Sequence, residues 1–233
     1  QRRTDKIFDE TAVVGVQEFA SRLQSGIVPT FARWADFQAG VEIPEEERSQ
    51  VNLQLDKITE YVFEVLQNSN FNQEVHEAFM DLAVGTGCML VEEGDAVNPV
   101  KFTAVPLPKV CLLNGPDGKI DTVYRTRKVK PEHVSVLYPR AVMPENFDLL
   151  QQKKELVIIE AVYKIHQDNE EKYKYCVVLE NPKAVIFEEE YEGEGSNPYL
   201  VFRWNKASGE VYGRGPVFNI TKCTDVCKWC LHL

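Results

Sequence analysis

The sequence predicts an α+β fold, on three observations. Apolar residues recur at helical spacing through the first third, and beyond Gly87 they fall into short runs rich in Val, Ile, Tyr and Phe. Turn-forming clusters such as Asn114-Gly115-Pro116-Asp117-Gly118 separate those runs. Helices segregated from meandering strands belong to this class, whereas regular alternation would indicate a parallel sheet. The expected organisation is a body over 1–210, helical over 1–86 and strand-rich over 87–210, followed by a junction and the start of a further helix over 211–233.

Taken in order, Ala12, Val16, Phe19, Ala20 and Leu23 form one apolar stripe, closed by Gly26 and Pro29, so residues 11 to 25 should be a helix. A linker carrying Phe31, Trp34 and Phe37 follows. Pro44 with Glu45, Glu46 and Glu47 is a helix start, because proline needs no N–H there and carboxylates favour the positive end of the dipole. Val51, Leu55, Ile58, Val62, Val65 and Leu66 mark one buried face of that long helix. A third helix should begin after Asn70 or Asn72 and bury Val75, Phe79, Leu82 and Ala83, with Gly85 and Gly87 turning the chain out of it.

Strands are expected at 88–92, 100–105, 109–113, 119–129, 156–166, 172–180, 183–190 and 199–204, paired antiparallel as in hairpins. Residues 131 to 154 should hold one or two short helices around Val134, Leu137, Phe147 and Leu150. At the end, Pro216 is placed like a first helical residue. Val217, Ile220, Cys223, Val226, Cys227, Cys230 and Leu231 then recur at helical spacing without a stop signal. With Gln1 in place of an initiator Met, both ends are expected to be cuts in a longer chain.

Composition limits the function classes. With 233 residues, 44% hydrophobic, the chain can bury a real core, and no apolar run approaches the roughly 20 residues a membrane helix needs. No membrane partner is expected. Cys88, Cys111 and Cys176 lie in apolar strand-like runs, which suits free thiols in a reducing compartment. The net charge of −10 argues against tight gripping of nucleic acid, since that affinity comes from cations on phosphates. Glu42, Glu45, Glu46 and Glu47 are expected on a solvated face, and Glu188, Glu189, Glu190, Glu192 and Glu194 in a solvated loop. Arg125, Arg127, Lys128 and Lys130 should line an exposed edge or face of a strand.

No motif for catalysis emerges: there is no phosphate loop, nucleophile elbow or His-Glu-x-x-His pattern. Gly85-Thr86-Gly87 follows a helix and precedes a strand, the reverse of the order that places a pyrophosphate on a helix N-terminus. His76 and His166 lack a sequence neighbour to orient them. Neither an enzyme nor a cofactor is expected. Cys223, Cys227, Cys230 and His232 supply soft ligands at close spacing, but on a helix His232 lies roughly 180° around from Cys223. The three cysteines are therefore weak metal candidates and read as buried thiols on a helix.

Three stretches together resemble the head-to-tail connector, or portal, proteins of short-tailed bacteriophages. They are Ile7-Phe8-Asp9-Glu10-Thr11-Ala12 through Gly26 with Pro29 and Trp34, Val105-Pro106-Leu107-Pro108 through Gly118 to Val123-Tyr124-Arg125, and Tyr199 to Trp204 followed by Tyr212-Gly213-Arg214-Gly215-Pro216. The resemblance implies that 1–210 is the wing of a subunit and that 211–233 turns into a stem helix. It also implies a homo-oligomeric ring of twelve subunits at one capsid vertex. Capsid and scaffolding proteins, the terminase and a tail adaptor would be partners, and double-stranded DNA would pass through without sequence specificity. The setting would be the virion, with assembly in the host cytoplasm.

In that frame Tyr212, Gly213, Arg214, Gly215 and Pro216 form a structural junction. The glycines would allow a path closed to a residue with a Cβ, Pro216 would fix the entry angle, and Arg214 would reach a carboxylate or carbonyls of the same or a neighbouring subunit. Two other readings stay open from sequence: a non-viral α+β interaction module, and a metal-binding regulatory module built on the C-terminal cysteines.

Overall fold

The computed structural model describes residues 11–145, 147–165, 171–193 and 195–217. Three helices come first: α1 (Thr11–Ile27), α2 (Glu45–Asn68) and α3 (Phe71–Leu82). Strands β1 (Thr86–Glu93), β2 (Val100–Ala104), β3 (Val110–Asn114) and β4 (Ile120–Val129) follow, then the short helices α4 (Pro131–Leu137) and α5 (Phe147–Leu150). Strands β5 (Leu156–Ile165), β6 (Lys172–Leu179), β7 (Ala184–Glu192) and β8 (Tyr199–Arg203) complete the body. The α+β class and the antiparallel pairing expected from sequence are both present.

The strands form two sheets where periodicity alone suggested one. The order β3-β4-β5-β6-β7 is a simple meander, whereas β8 returns across the chain to pair with β1, giving β2-β1-β8. Leu90 pairs with Tyr199 and Thr86 with Arg203. β1 therefore sits at the centre of a small sheet and is covered on both faces. By the two-residue period of a strand, Cys88 and Leu90 point into a core shared with Leu112, Val123 and Val162 of the larger sheet. Met89 points the other way, into a core with Ala20, Val75, Ala78, Phe79 and Leu82 of the helices. A third core lies where α4 and α5 cover the far part of the large sheet, around Val134, Tyr138, Ile158, Val177 and Ile186.

Helix boundaries follow the sequence signals with small shifts. α1 runs through Gly26 to Ile27, so the effective stop is Pro29 and its constraint on the preceding residue. Pro44 precedes the first helical residue of α2. Asn70 stands at the N-cap of α3 without capping it. Its amide instead donates to the Phe102 carbonyl (2.7 Å) and accepts from the Phe102 N–H (2.9 Å), while Glu74 accepts from the Ala104 N–H (2.6 Å). The side chains of Asn70 and of Glu74 in α3 thus occupy the open edge of β2, an edge that would otherwise invite another strand.

Three expectations are corrected. The stripe predicted for α2 is not its most buried one: Ile58 stands exposed and Val51, Leu55, Val62, Val65 and Leu66 are half-buried, while the buried positions are Thr59 and Phe63 outside that stripe, where Phe37 and Trp34 of the linker meet the helix. The glutamates of β7 are in a strand, and several are paired across it, Glu188 with Lys174 and Glu192 with Lys172, both at 3.1 Å. Glu194 lies outside the described residues. Cys111 is exposed on β3, since odd positions of that strand face out, whereas Cys88 is buried and burial pushes its thiol up to about 12.

Candidate functional site

Two constellations stand out, and the first is one that sequence reasoning missed. Glu160 of β5 is 1% exposed and sits opposite Arg125 of β4 in the ladder. Its Oε1 accepts from Arg127 Nη1 (2.9 Å) and from the Tyr138 hydroxyl; its Oε2 accepts from Arg125 Nη1 (3.3 Å) and the Tyr199 hydroxyl (3.2 Å). Four donors fill the lone pairs of one carboxylate, which leaves no position from which it could take a proton from a substrate. The cluster is therefore a structural knot. It ties β4 and β5 to the segment after α4 and, through Tyr199, to the second sheet.

The basic stretch is thereby divided by strand alternation. Arg125 and Arg127 turn inward to Glu160, while Lys128 and Lys130 are exposed. Two guanidinium groups against one carboxylate leave a local excess of positive charge, and Arg125 Nε finds no acceptor among the described residues. Burial, reinforced by the Glu160 charge, pushes the Tyr138 and Tyr199 hydroxyls far up, so both remain protonated donors.

The second constellation is the junction. The turn after α3 contains Ala83, Val84, Gly85 and the fully buried Thr86, and the chain comes back to this turn after β8. Gly85 has φ +149°, and its carbonyl accepts from the Trp204 N–H at 2.9 Å. The Gly213 N–H donates to Thr86 Oγ1 (2.8 Å), the Gly215 N–H to the Val84 carbonyl (2.9 Å) and the Val217 N–H to the Ala83 carbonyl (3.2 Å). Helical backbone begins at Pro216.

Side-chain-free backbone is required at this crossing. A Cβ on Gly213 would lie 2.2 Å from the Gly85 carbonyl oxygen, and one on Gly215 would lie 2.1 Å from that of Ala83. Reciprocally, a Cβ on Gly85 would lie 2.0 Å from the Gly213 carbonyl oxygen. The glycine requirement at 213 and 215 is thus one of close approach, two chain segments crossing backbone to backbone. Gly85 and Thr86 of the Gly85-Thr86-Gly87 stretch, unsuited to a nucleotide by its position, are the other half of this contact, while Gly87 instead admits the Phe202 ring.

Tyr212 and Arg214 point to opposite tasks. The Tyr212 hydroxyl accepts from the Leu112 N–H (3.2 Å) and donates to the Val110 carbonyl (3.3 Å), closing part of the open edge of β3. Arg214 Nε donates to Glu210 Oε2 (2.9 Å) and its Nη2 to the other carboxylate oxygen, a two-point pairing within the same chain. That pairing holds the Glu210 carboxyl below its usual range. The Arg214 N–H donates to the Asn205 carbonyl (2.9 Å), which closes the loop behind β8. One segment is therefore fastened to the small sheet through Thr86 and to the large sheet through Tyr212.

Replacing Tyr212 with Phe should lower stability by about 1 kcal/mol, the net worth of an edge hydrogen bond with a buried partner. Amide exchange at Leu112 should accelerate with it, while exchange at Leu90 in β1 should change little.

Neither constellation is a metal centre: among the described residues no group of three His, Cys, Asp or Glu is placed to hold an ion. Cys223, Cys227, Cys230 and His232 lie outside the described residues, as does His166. His76 is occupied, its Nδ1 lying 3.1 Å from Gln24 Oε1. No helix among the described residues is long and apolar enough to cross a membrane.

A search among curated proteins found no match. Against families the outcome is different: residues 1–221 match the bacteriophage head to tail connecting protein family, a range that takes in helices α1 to α5, both sheets and the whole crossing at Gly85, Gly213 and Gly215. The chain belongs to the bacteriophage head to tail connecting protein family.

Proposed function

We propose that this chain is the wing of a portal subunit and that its last described residues turn the polypeptide into the channel. Membership in the connector family gives it a structural role in joining phage head and tail. The finer reading is a ring of twelve subunits at one capsid vertex, through which DNA is packaged and ejected, and to which terminase and tail adaptor attach. Capsid and scaffolding proteins meet it during assembly in the host cytoplasm, and the mature ring resides at the portal vertex of the virion.

The observation that carries this reading is the crossing at Gly85, Gly213 and Gly215. A helix that begins at Pro216 immediately after three backbone contacts to the body starts in a fixed direction, and Val217 is itself held to Ala83. A connector needs such a joint, because a stem lining a channel must keep one angle to its wing in every subunit. Arg214 contributes by clamping Glu210, which shapes the loop between β8 and the crossing. DNA in transit would meet a protein of net charge −10, which disfavours adhesion of a polyanion. Light scattering of the full-length protein should give one species with the mass of a many-subunit assembly, whereas a monomer at high concentration would defeat the reading.

A further inference from the structure

We propose that the groove between β4 and α4 seats the Val41–Glu47 edge of a second copy of this chain. This rests on the reading that the protein assembles with itself, and it names the surfaces through which it does so. The groove has a volume of about 510 Å³. Its apolar part is Val129, Val136 and Leu137, with Val136 73% exposed, and its polar rim is Arg127, Lys128, Lys130, His133 and Glu155. Lys153 and Lys154 stand exposed just before Glu155.

The charges of this rim are unequally engaged. Arg127 is spent on Glu160, and Lys130 and His133 share Glu132 at 3.6 and 3.7 Å. Lys128, Lys153 and Lys154 have no ion-pair partner among the described residues. Against the carboxylates of Glu132 and Glu155 they leave a cationic rim around an uncovered apolar floor.

The complementary surface lies at the start of α2. Val41 is 90% exposed, and Glu42, Glu45, Glu46 and Glu47 are all exposed with no ion-pair partner among the described residues. This edge is held in shape before any partner arrives, since Arg48 Nε donates to the Ile43 carbonyl (2.9 Å) and its Nη2 to the Val41 carbonyl (3.0 Å). A preformed loop that offers one apolar side chain flanked by four acids matches an apolar groove flanked by lysines, and little ordering cost remains on binding. α2 belongs to the helical layer over the small sheet, and α4 packs on the large one. Joining two different patches makes the contact heterologous, and successive contacts of that kind close into a ring when the rotation permits.

A charge swap in the full-length protein tests this. Replacing Glu45, Glu46 and Glu47 with Lys should weaken assembly about tenfold or more at low salt, as should replacing Lys128, Lys153 and Lys154 with Glu. Combining both sets should return the assembled fraction, read by mass photometry, to within about threefold of the parent. Circular dichroism of each variant monitors the fold, all six sites being exposed. If the parent forms rings and either set leaves them unchanged, or the combination is weaker still, the proposed contact is wrong while the ring stands. If lysine reversal alone disrupts assembly without rescue, those lysines meet something other than this edge, and the proposal is equally overturned. A parent that never assembles refutes the portal reading itself.

Discussion

Replacing Glu160 with Gln should destabilise the protein by about 3–5 kcal/mol, among the largest effects available to one substitution in this chain. The size comes from what remains behind. Arg125 would keep a buried charge and Arg127 a half-buried one, neither with another carboxylate at ion-pair distance among the described residues, and a neutral amide cannot accept from four donors at once. Denaturant unfolding should show the loss as a lower midpoint with an unchanged slope, since the same surface is exposed. High salt should rescue little, because the cluster is shielded from ions. Two comparisons separate this account from a generic core defect. Tyr199→Phe removes one donor and should cost about 1 kcal/mol. Replacing Arg125, Arg127 and Glu160 together by apolar residues of similar volume should recover much of the penalty, because no charge is then left unpaired.

Gly85→Ala should be the second severe substitution, at about 3 kcal/mol or more. Two costs add. The backbone is held at φ +149°, a region that L side chains rarely adopt, and the new methyl would lie 2.0 Å from the Gly213 carbonyl oxygen with the Gly215 nitrogen 2.9 Å away. No flexible side chain is available to yield, so the returning segment at Gly213–Gly215 must move. The contacts of Gly213, Gly215 and Val217 should open together, and amide exchange at Gly213 and Gly215 should become fast while the large sheet stays protected. Gly213→Ala and Gly215→Ala should reproduce the opening from the other side. Gly15→Ala offers the contrast: it lies in α1 with nothing within 4 Å of a new Cβ, so helix propensity alone should stabilise by up to about 1 kcal/mol. In the full-length protein, the three crossing variants should yield few well-formed assemblies.

Much of the fold was legible in the sequence because its signals are local. Pro44 before three glutamates, the apolar stripe at Val75, Phe79 and Leu82, and the Asn114 to Gly118 turn each act within a few residues, and each element lies within a residue or two of its expected place. What escaped was non-local. Periodicity gives the same score to a strand in either sheet, so the return of β8 to β1 was invisible. Asn70 had the right place and type for a cap and was instead used by a strand 32 residues away. The acid of the knot, Glu160, lies inside Leu156-Val157-Ile158-Ile159-Glu160-Ala161-Val162, where a lone carboxylate in an apolar run was the available warning.

The junction was read in part. The glycines and proline of Tyr212 to Pro216 mark a junction in the sequence, and the crossing gives those glycines a physical reason. Their partner is Gly85, whose requirement no spacing rule links to residues more than a hundred positions later. Arg214 pairs with Glu210 within the chain, four residues back, so the sequence contained that partner as well. Each of the three connector-like stretches alone could serve an ordinary turn or helix, and only their order along the chain is distinctive.

If the chain forms the wing of a ring-shaped connector and enters the channel at Pro216, electron microscopy of the full-length protein at high concentration should show it. The expected particles are rings with a central hole, the two-sheet body at the periphery and density running inward from the Gly213–Pro216 crossing. Particles without a hole, or rings in which the crossing faces outward, would contradict that reading.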